Sequence, residues 1–411
     1  MRVTAIICEY NPFHNGHAYQ IQKARELTQA DFIMVVMSGN FVQRGEPAIV
    51  NKWARSEMAL KGGADLVLEL PLPFAISSAE YFASGAVQVL ENTGVVDYLC
   101  FGSEHGEITQ LREIAEIFVN ESLEFKANLK ESLDKGLSFP SARANTLPKD
   151  LREIANTPNN ILAVEYLKAL IRLNSKIEPF TIKRIGSGYL ETDNSGEFSS
   201  ATAIRKGIAE AAGFSTISKN VPSSTFEILT KEFSSQRGPV YPSSIFESLR
   251  YKVRTMNLNE IALHNGVSEG LESKIRKAFE VANSYEEAVN LIISKRYPRT
   301  RILRILLSIY LGFTSKKAEA FYKNGPQYLR VLGMKESSRV LLKAIKAKKS
   351  KKILLAMKLK PLVLSKKKSV SNMAMFEALS TDLYVLSYPY ESTNNNSGQE
   401  FLENPIILYF D

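Results

Sequence analysis

Residues 3–17 read VTAIICEYNPFHNGH, an arrangement that decides the fold because an apolar run leads through a polar loop into the start of a helix. The run at 3–8 predicts a buried β-strand, and the pattern at 18–28 predicts a helix with its apolar side chains on one face. His14 and His17 bracket Asn-Gly where that helix begins, so their spacing of three places both rings on one side of its first turn. We therefore predict a βα unit with a ligand site in its loop.

The next eighty or so residues repeat this alternation of strand and helix. Apolar runs at 32–37, 65–70 and 96–101 predict strands, and the patterns at 52–61 and 77–90 predict helices between them. These runs do not alternate between apolar and polar residues, as expected for strands that helices cover on both faces. The order βαβαβαβ predicts an α/β fold with a Rossmann-like, doubly wound parallel sheet.

The rest of the chain predicts a second, different region. A helical pattern at 108–174 and a strand at 179–185 precede Ser199-Ser200, which can cap a helix over 201–205. We place the boundary between two regions near residue 212: an α/β domain at residues 1–212, which contains this sheet, and a mostly helical, basic region at residues 213–411. Within the second region a helix is predicted at 301–311 and strands at 383–388 and 405–410.

Composition limits the class of protein. The 411 residues are 45% hydrophobic and 23% charged, as in globular proteins, and the longest apolar runs are too short to cross a bilayer. The two cysteines, Cys8 and Cys100, lie in apolar runs and predict buried free thiols in a reducing compartment. We therefore predict a cytoplasmic protein without a membrane partner; its oligomeric state stays open.

The positive charge is unevenly distributed. The formal net charge is +9, and the segment 341–370 contains eleven lysines and no Asp or Glu. Such a block favours a polyanionic partner, nucleic acid first, although a solvated lysine surface is the alternative.

The pair His14 and His17 is the clearest candidate site. The loop lacks both the Gly-rich dinucleotide fingerprint and the Gly-Lys-Ser/Thr of a phosphate loop. An isolated pair of histidines at this spacing is more often a false metal site or an exposed helix surface, but here two of only four histidines follow the first strand. A helix N-terminus with free amides and a glycine, Gly16, suits a phosphate.

These residues also carry a family resemblance. The stretch 14–17 resembles the His-x-Gly-His signature of nucleotidyltransferases and class I aminoacyl-tRNA synthetases. The stretch FSSATAIR at 198–205 is similar to their Ile-Ser-Ser-Thr-x-x-Arg element, with an additional Ala and Phe for Ile. That second likeness implies contacts with the β- and γ-phosphates from Ser200, Thr202 and Arg205.

A closer resemblance covers nearly the whole chain. Five segments resemble the bacterial tRNA(Met) cytidine acetate ligase family: ICEYNPFHNGH at 7–17, MSGNFVQRGE at 37–46, FGSE at 101–104, PNNIL at 158–162 and KRYPR at 295–299. The resemblance implies ATP-dependent activation of acetate to acetyl-adenylate, then acetyl transfer to N4 of the wobble cytidine of elongator tRNA(Met). It implies ATP with Mg²⁺, acetate and tRNA as substrates and partners.

The resemblance also implies site residues. We assign His14 and His17 as catalytic and no residue as a metal ligand. The implied ATP contacts are Ile7, Cys8, Glu9, Tyr10, Asn11, Pro12, Phe13, His14, Asn15, Gly16, His17, Ala18, Tyr19, Gln20, Gly102, Asn159, Arg184 and Ile185. A one-residue shift from Asn159 to Asn160 stays open.

Two further sets are predicted from position and charge. The loop after the second strand offers Gln43 and Arg44 to acetate or cytidine, and Phe41 to stack on a base. An ordinary rigid loop is the alternative. The candidate tRNA contacts are Lys295, Arg296, Arg299, Lys348, Lys349, Lys351 and Lys352.

Three other functions remain possible on the same motifs. A small-molecule adenylyltransferase explains the histidines but not the second region or its lysines. A non-catalytic RNA-binding protein on this fold does not explain why both histidines are intact. A class I synthetase is disfavoured, since the chain has no Lys-Met-Ser-Lys-Ser element.

Overall fold

The computed structural model of the protein describes residues 1–184, 199–210, 214–268 and 270–409. The strands in these residues are β1 (Val3–Cys8), β2 (Phe32–Ser38), β3 (Phe41–Val42), β4 (Glu46–Pro47), β5 (Leu66–Leu70), β6 (Tyr98–Ser103), β7 (Glu178–Lys183), β8 (Tyr328–Lys335), β9 (Leu354–Ala356) and β10 (Ile406–Leu408). The α-helices are α1 (Asn15–Thr28), α2 (Lys52–Lys61), α3 (Leu72–Ala75), α4 (Ala79–Thr93), α5 (Ile108–Val119), α6 (Leu123–Asp134), α7 (Phe139–Asn145), α8 (Lys149–Arg152), α9 (Pro158–Arg172), α10 (Ala201–Ala209), α11 (Ser223–Ser234), α12 (Phe246–Thr255), α13 (Leu258–Ala262), α14 (Leu271–Val281), α15 (Tyr285–Ile292), α16 (Arg299–Leu311), α17 (Ser315–Asn324), α18 (Arg339–Lys348), α19 (Lys360–Val363), α20 (Lys368–Val385) and α21 (Gln399–Leu402).

One sheet organises the molecule. Its strand order is β10-β8-β5-β2-β1-β6-β7, with β9 paired to β8. The pairs around the centre are parallel, whereas β8 runs antiparallel to β5. The predicted α/β fold with a doubly wound sheet is confirmed, and the sheet is mixed because of β8. The strand order reverses between β1 and β6, and ligands bind at such a switch point in open α/β sheets.

Apolar side chains cover both faces of the sheet. Along β2, Met34 and Val36 join one buried cluster with α4, α5 and α9, while Ile33 and Val35 join a second cluster with α1, α2 and α11. This division explains the continuous apolar runs in the sequence, since alternate residues of each strand enter different cores. In the described residues, no helix is both long and apolar enough to cross a membrane.

The second half of the chain contributes to the same sheet. Strands β8, β9 and β10 all come from beyond residue 212, in the region predicted to be mostly helical. The sheet therefore contains strands from both sides of the predicted boundary. The strand predicted at 405–410 is present as β10. The prediction of a strand at 383–388 is wrong, because the first residues of this segment form the last turn of α20. Tyr384 is buried there and donates its hydroxyl to the carbonyl of Ala48 at 2.7 Å, so tertiary packing overrides the local strand pattern.

A buried ion network joins the two halves. It consists of Lys52 on α2, Glu69 on β5, Arg330 on β8, Glu377 on α20 and Glu400 on α21, each at most 2% exposed. The Lys52 Nζ atom lies 2.5 Å from Glu69 Oε1, contacts Glu400 Oε1 and lies 3.3 Å from Glu377 Oε1. Arg330 pairs with Glu69 at 2.9 Å and with Glu400 at 2.6 Å.

The charges of the ion network balance if one carboxyl keeps its proton. Burial, followed by the charge of Glu69, raises the pKa of Glu377 to about 8. Burial alone would raise the pKa of Glu400, but Arg330 and Lys52 outweigh it and hold that pKa at about 2. Glu377 is therefore the protonated member near neutral pH, and two carboxylates face two cations.

Candidate active site

An open cleft lies at the switch point of the sheet. It lies at the carboxyl ends of β1, β6 and β7, and its space, counted together with the open solvent at its mouth, is about 620 Å³. Its lining residues are His14, Gly16, His17, Tyr19, Gln20, Gly102, Ile182, Lys183, Arg184, Ser199 and Ser200. The N-termini of two helices, α1 and α10, therefore open into one space, which is the arrangement that favours a bound phosphate.

His14 and His17 form a stacked pair at the start of α1. Their ring centroids are 3.6 Å apart and their planes differ by 21°. The backbone N–H of His14 donates to Nδ1 of His17 at 3.2 Å. Because Nδ1 accepts this bond, the neutral ring of His17 carries its proton on Nε2 and keeps a donor for a ligand.

Both imidazoles are held neutral. Burial, with a smaller contribution from the charge of Arg184, lowers the pKa of His14 from 6.5 to about 3. Burial lowers the pKa of His17 well below its usual value, and the proximity of His14 and Arg184 adds to the effect. Stacked cationic rings beside an arginine would repel one another, so the pair acts as neutral donors at physiological pH.

The rest of the loop supports this pair from beneath. The ring of Tyr10 lies 4.8 Å from Phe13 and 4.7 Å from His17, and both Tyr10 and Phe13 are buried. Arg55, fully buried, donates to the carbonyl of Glu9 at 2.6 Å. Of the predicted segment 7–20, only five residues line the cleft: His14, Gly16, His17, Tyr19 and Gln20. The buried Tyr10 and Phe13 of the same segment pack against His17 instead.

The cleft wall opposite α1 comes from the start of α10. Ser200 caps this helix by accepting a hydrogen bond from the amide of Ala203 at 3.1 Å, and Ser199 accepts one from the Asn220 side chain at 2.8 Å. Arg205 donates to the carbonyl of Asn11 at 2.8 Å, so it braces the loop after β1. Of the predicted phosphate contacts, Ser200 lines the cleft, whereas Thr202 and Arg205 are outside its lining.

The position of Asn159 depends on Glu104. The Glu104 carboxylate accepts hydrogen bonds from the backbone N–H of Asn159 at 3.2 Å and of Asn160 at 2.9 Å. It also accepts one from the side-chain amide of Asn159 at 2.6 Å. The Asn160 side chain is buried and bonds to the Glu104 and Ile154 backbone. Asn160 is therefore a structural residue, and the less buried Asn159 is the one nearer to solvent. Neither lines the cleft.

The third wall is the end of β7. Sequence reasoning identified Arg184 but missed Ile182 and Lys183, which also line the cleft together with Ser199. No motif marks these positions, because they reach the cleft only through the pairing of β7 with β6, where Gly102 lies opposite Ile182. Ile185, a predicted ATP contact, lies outside the described residues.

The loop after β2 contains one wrong prediction. Phe41 is fully buried, with its ring 5.8 Å from Tyr384 and 6.4 Å from Tyr310, so it belongs to the core and cannot stack on a base. Gln43 and Arg44 are half-buried, and neither lines the cleft. The Gln43 amide donates to Glu9 at 2.7 Å, and Arg44 donates to Thr202 at 3.2 Å.

The predicted tRNA contacts lie in two separate places. Lys295, Arg296 and Arg299 are exposed before and at the start of α16, where Arg299 pairs with Glu286 at 2.7 Å. The lysines at 348–352 lie near the amino end of β6, since Ser350 donates to the carbonyl of Asn92 at 3.1 Å, just before β6 begins. Gly102, at the carboxyl end of β6, lines the cleft, so these lysines are at the opposite edge of the sheet. They are too distant to touch a reacting base in the cleft.

Known proteins resemble this chain along almost its whole length. A family model described as HIGH Nucleotidyl Transferase matches residues 1–400. The chain is 46% identical to the tRNA(Met) cytidine acetate ligase of Acetivibrio thermocellus, over 99% of this chain and 100% of that protein. It is 44% identical to the protein of that name from Thermoanaerobacter sp., with the same coverage. The crystal structure of Thermotoga maritima TmcAL bound with alpha-thio ATP is 35% identical, with a TM-score of 0.93 over 100% of both chains.

Proposed function

This chain belongs to the tRNA(Met) cytidine acetate ligases of the HIGH nucleotidyl transferase family, and we propose that it makes N4-acetylcytidine in elongator tRNA(Met). The family predicted from the motifs is confirmed. In the proposed reaction, ATP activates acetate as acetyl-adenylate, and the acetyl group then passes to N4 of the wobble cytidine.

The observation that carries the proposal is the neutral pair His14 and His17 in a cleft at the switch point of the sheet. Neutral imidazoles at a helix N-terminus offer fixed N–H donors whose protonation does not change near neutral pH. Such fixed donors stabilise negative charge as it develops on phosphate oxygens.

The first step is an in-line displacement. An acetate oxygen attacks the α-phosphorus of ATP, an acyl–phosphate bond forms, and the bond to the β-phosphate oxygen breaks as pyrophosphate leaves with the electron pair. We assign Nε2–H of His17, and the ring of His14, as donors to the α-phosphate oxygens. Catalysis then consists of positioning and electrostatic stabilisation, with no covalent enzyme intermediate.

The second step needs the same cleft. The N4 amine of cytidine attacks the acyl carbon, AMP leaves with the electron pair of the broken bond, and the amine loses a proton. Burial raises the pKa of Cys8 well above its usual value, so this thiol stays protonated and is not the acyl carrier.

The triphosphate has basic neighbours. We assign Arg184 and Lys183, which line the cleft, to the phosphate oxygens, with the α10 N-terminus at Ser200 as a further contact. Arg205 and Thr202 would reach a phosphate only after leaving their present partners. Among the implied ATP contacts, Gly102 lines the cleft beside Arg184, where a Cβ atom at Gly102 would lie 3.4 Å from the Arg184 side chain.

The part of the chain that the structure describes does not form a dedicated Mg²⁺ site. In the described residues, the acidic cluster close enough to hold a metal is Glu69, Glu377 and Glu400, and those carboxylates are already paired with Lys52 and Arg330. Beside the cleft, the Glu104 carboxylate is used by α9. We therefore treat Mg²⁺ as part of the ATP substrate, held by its phosphates.

The RNA partner is assigned to the basic second half of the chain. Residues 213–411, with the lysines at 341–370 and the arginines near α16, supply positive charge for phosphate contacts. The two predicted contact sets lie at different edges of the sheet, so we assign the α16 set to the RNA next to the cleft. The lysines at 348–352 then hold a more distant part of the tRNA.

One assay tests the proposal. The protein is incubated with ATP, carboxyl-labelled acetate and tRNA(Met), without acetyl-CoA, and the digested tRNA is analysed for labelled N4-acetylcytidine. Label in that nucleoside supports the ligase. AMP and pyrophosphate formation that does not depend on acetate would overturn the proposal.

A further inference from the structure

An exposed aromatic stack lies at the start of α4. The ring of Tyr81, which is 41% exposed, stacks on Tyr322 with centroids 3.7 Å apart and planes within 10°. Tyr322 is fixed from below, since its hydroxyl lies 2.5 Å from the hydroxyl of Ser77 and accepts from the Asn265 side chain at 3.4 Å. A rigid inner ring with an exposed outer ring is the arrangement on which a further planar ring can stack.

Two arginines accompany this stack. Arg301 and Arg304 are one turn apart on α16, and Arg301 lies over the ring of Tyr297 at 4.6 Å. Arg304 makes only a long hydrogen bond, 3.5 Å, to the carbonyl of Gln43. In the part of the chain that the structure describes, neither guanidinium has a carboxylate within ion-pair distance.

The environment of Arg304 is unusual for a cation. Burial, followed by the charge of Arg301, lowers the pKa of Arg304 to about 10, and the Tyr322 hydroxyl partly offsets the effect. A desolvated guanidinium without a counter-ion is destabilising by itself, so an anion placed there would be favoured. The fork of donors suits a phosphate.

This surface, made of Tyr81, Tyr322, Arg301 and Arg304, is connected through two hydrogen bonds to the loop after β1, which carries the histidine pair. Arg304 donates to the carbonyl of Gln43, which lies in the loop after β2. The backbone N–H of Gln43 in turn donates to the carboxylate of Glu9 in the loop after β1. Tyr81 follows β5, at the carboxyl edge of the same sheet. The stack and the arginines therefore lie on the cleft's side of the molecule, unlike the lysines at 348–352.

We propose that this surface binds one single-stranded nucleotide next to the reacting cytidine, with its base on Tyr81 and its phosphate on Arg301 and Arg304. The inference rests on the proposed function and names the residues that hold the RNA beside the cleft. A base inside a duplex has both faces covered, so only an unstacked loop nucleotide can use Tyr81. Stacking tolerates any base, so the surface supplies affinity and placement rather than sequence choice.

The test is binding of an RNA hairpin with the tRNA(Met) anticodon stem-loop sequence to the full chain, with Tyr81→Ala and Tyr81→Phe variants. Loss of one stacked base predicts about 5- to 100-fold weaker binding for Tyr81→Ala, and near wild-type binding for Tyr81→Phe. Tyr390→Ala is the matched control, since Tyr390 is a fully exposed tyrosine outside the stack. Arg301→Gln should reduce the salt dependence of binding by about one phosphate contact.

A second arm uses hairpins with one abasic loop nucleotide. At the position that stacks on Tyr81, the abasic change should weaken hairpin binding by the wild type but leave hairpin binding by Tyr81→Ala unchanged. Tyr81→Ala binding equal to wild type and to Tyr390→Ala would overturn the inference. Acetate-dependent exchange of pyrophosphate into ATP, measured in the same variants, keeps the two proposals apart: we expect it unchanged in Tyr81→Ala. Its absence in wild type would contradict the proposed function instead.

Discussion

The ion network and the pair His14 and His17 both contain side chains with shifted pKa values, and they differ in what surrounds them. In the ion network, Lys52 and Arg330 are matched by carboxylates at hydrogen-bond distance, and every member is at most 2% exposed. The pair His14 and His17 has no carboxylate at ion-pair distance within the described residues, and it lines an open cleft. The ion network is closed, whereas the histidine pair is open to a ligand.

The difference shows which feature marks a functional group. Burial shifts pKa values in both places, so a shifted pKa by itself does not separate a structural site from a reactive one. A structural site and a reactive one differ in whether their polar atoms still have a hydrogen bond to offer to a ligand. Glu377 and Glu400 use theirs on internal partners, whereas Nε2–H of His17 remains a donor for a ligand.

Removing Lys52 from the ion network should have the largest effect, and that effect should be on the free energy of unfolding. Lys52→Met leaves Glu69 and Glu400 buried with one cation fewer, which costs about 3–5 kcal/mol of unfolding free energy. Lys61→Met is the control, because Lys61 ends the same helix but forms only an exposed pair with Glu57. Denaturant unfolding measures both. Equal, small losses in the two variants would mean that the ion network does not hold the halves together.

Removing a histidine should affect the rate and not the fold. His14→Ala and His17→Ala each take one fixed donor from the cleft, which costs about two to three orders of magnitude in kcat for adenylate formation. We expect unfolding midpoints close to wild type. His264→Gln is the control, since His264 is buried outside the cleft and bonds only to carbonyls of its own helix turn. Full activity in either alanine variant would remove the mechanism.

The pH dependence of stability should sharpen the contrast. Glu377 has a raised pKa of about 8 in the folded state, so the folded protein binds more protons than the unfolded one above the ordinary carboxyl pKa. Its stabilising contribution is complete below the ordinary carboxyl pKa and is lost progressively as the pH rises from there through about 8. Unfolding free energy should fall by about 1 kcal/mol between pH 7 and 9.

The Glu377→Gln variant isolates this effect. A neutral amide imitates the protonated carboxyl and cannot ionise, so the difference in unfolding free energy between wild type and variant should change with pH over that window. A constant difference would show that Glu377 does not titrate there.

The first half of the fold was predictable because its signals are local. Strands β1, β2, β5 and β6 are continuous apolar runs that need no distant partner to be recognised. Strand β8 was missed for the opposite reason. It contains Arg330, which is buried only because Glu69 and Glu400 meet it there, and no local pattern records such partners.

The functional site was likewise predictable only where its signals are local. The stacked histidines are contiguous in sequence with the strand and helix that hold them, so their place was predictable from residues 3–17 alone. Lys183 lines the cleft only because β7 converges on it, which the sequence does not record, whereas Ser199 belongs to the segment FSSATAIR that the sequence did identify. Phe41 was misjudged because a loop position after a strand does not reveal whether the side chain turns inward.

The most direct test of the histidine pair is a ¹⁵N NMR titration of the imidazoles, with and without alpha-thio ATP. The chain has only four histidines, so the His14→Ala and His17→Ala spectra assign the two signals. We predict that both rings stay neutral from pH 8 to about pH 5, that His17 carries its proton on Nε2, and that the nucleotide shifts both signals. Rings that gain a proton near pH 6.5, or signals that the nucleotide leaves unchanged, would contradict the account.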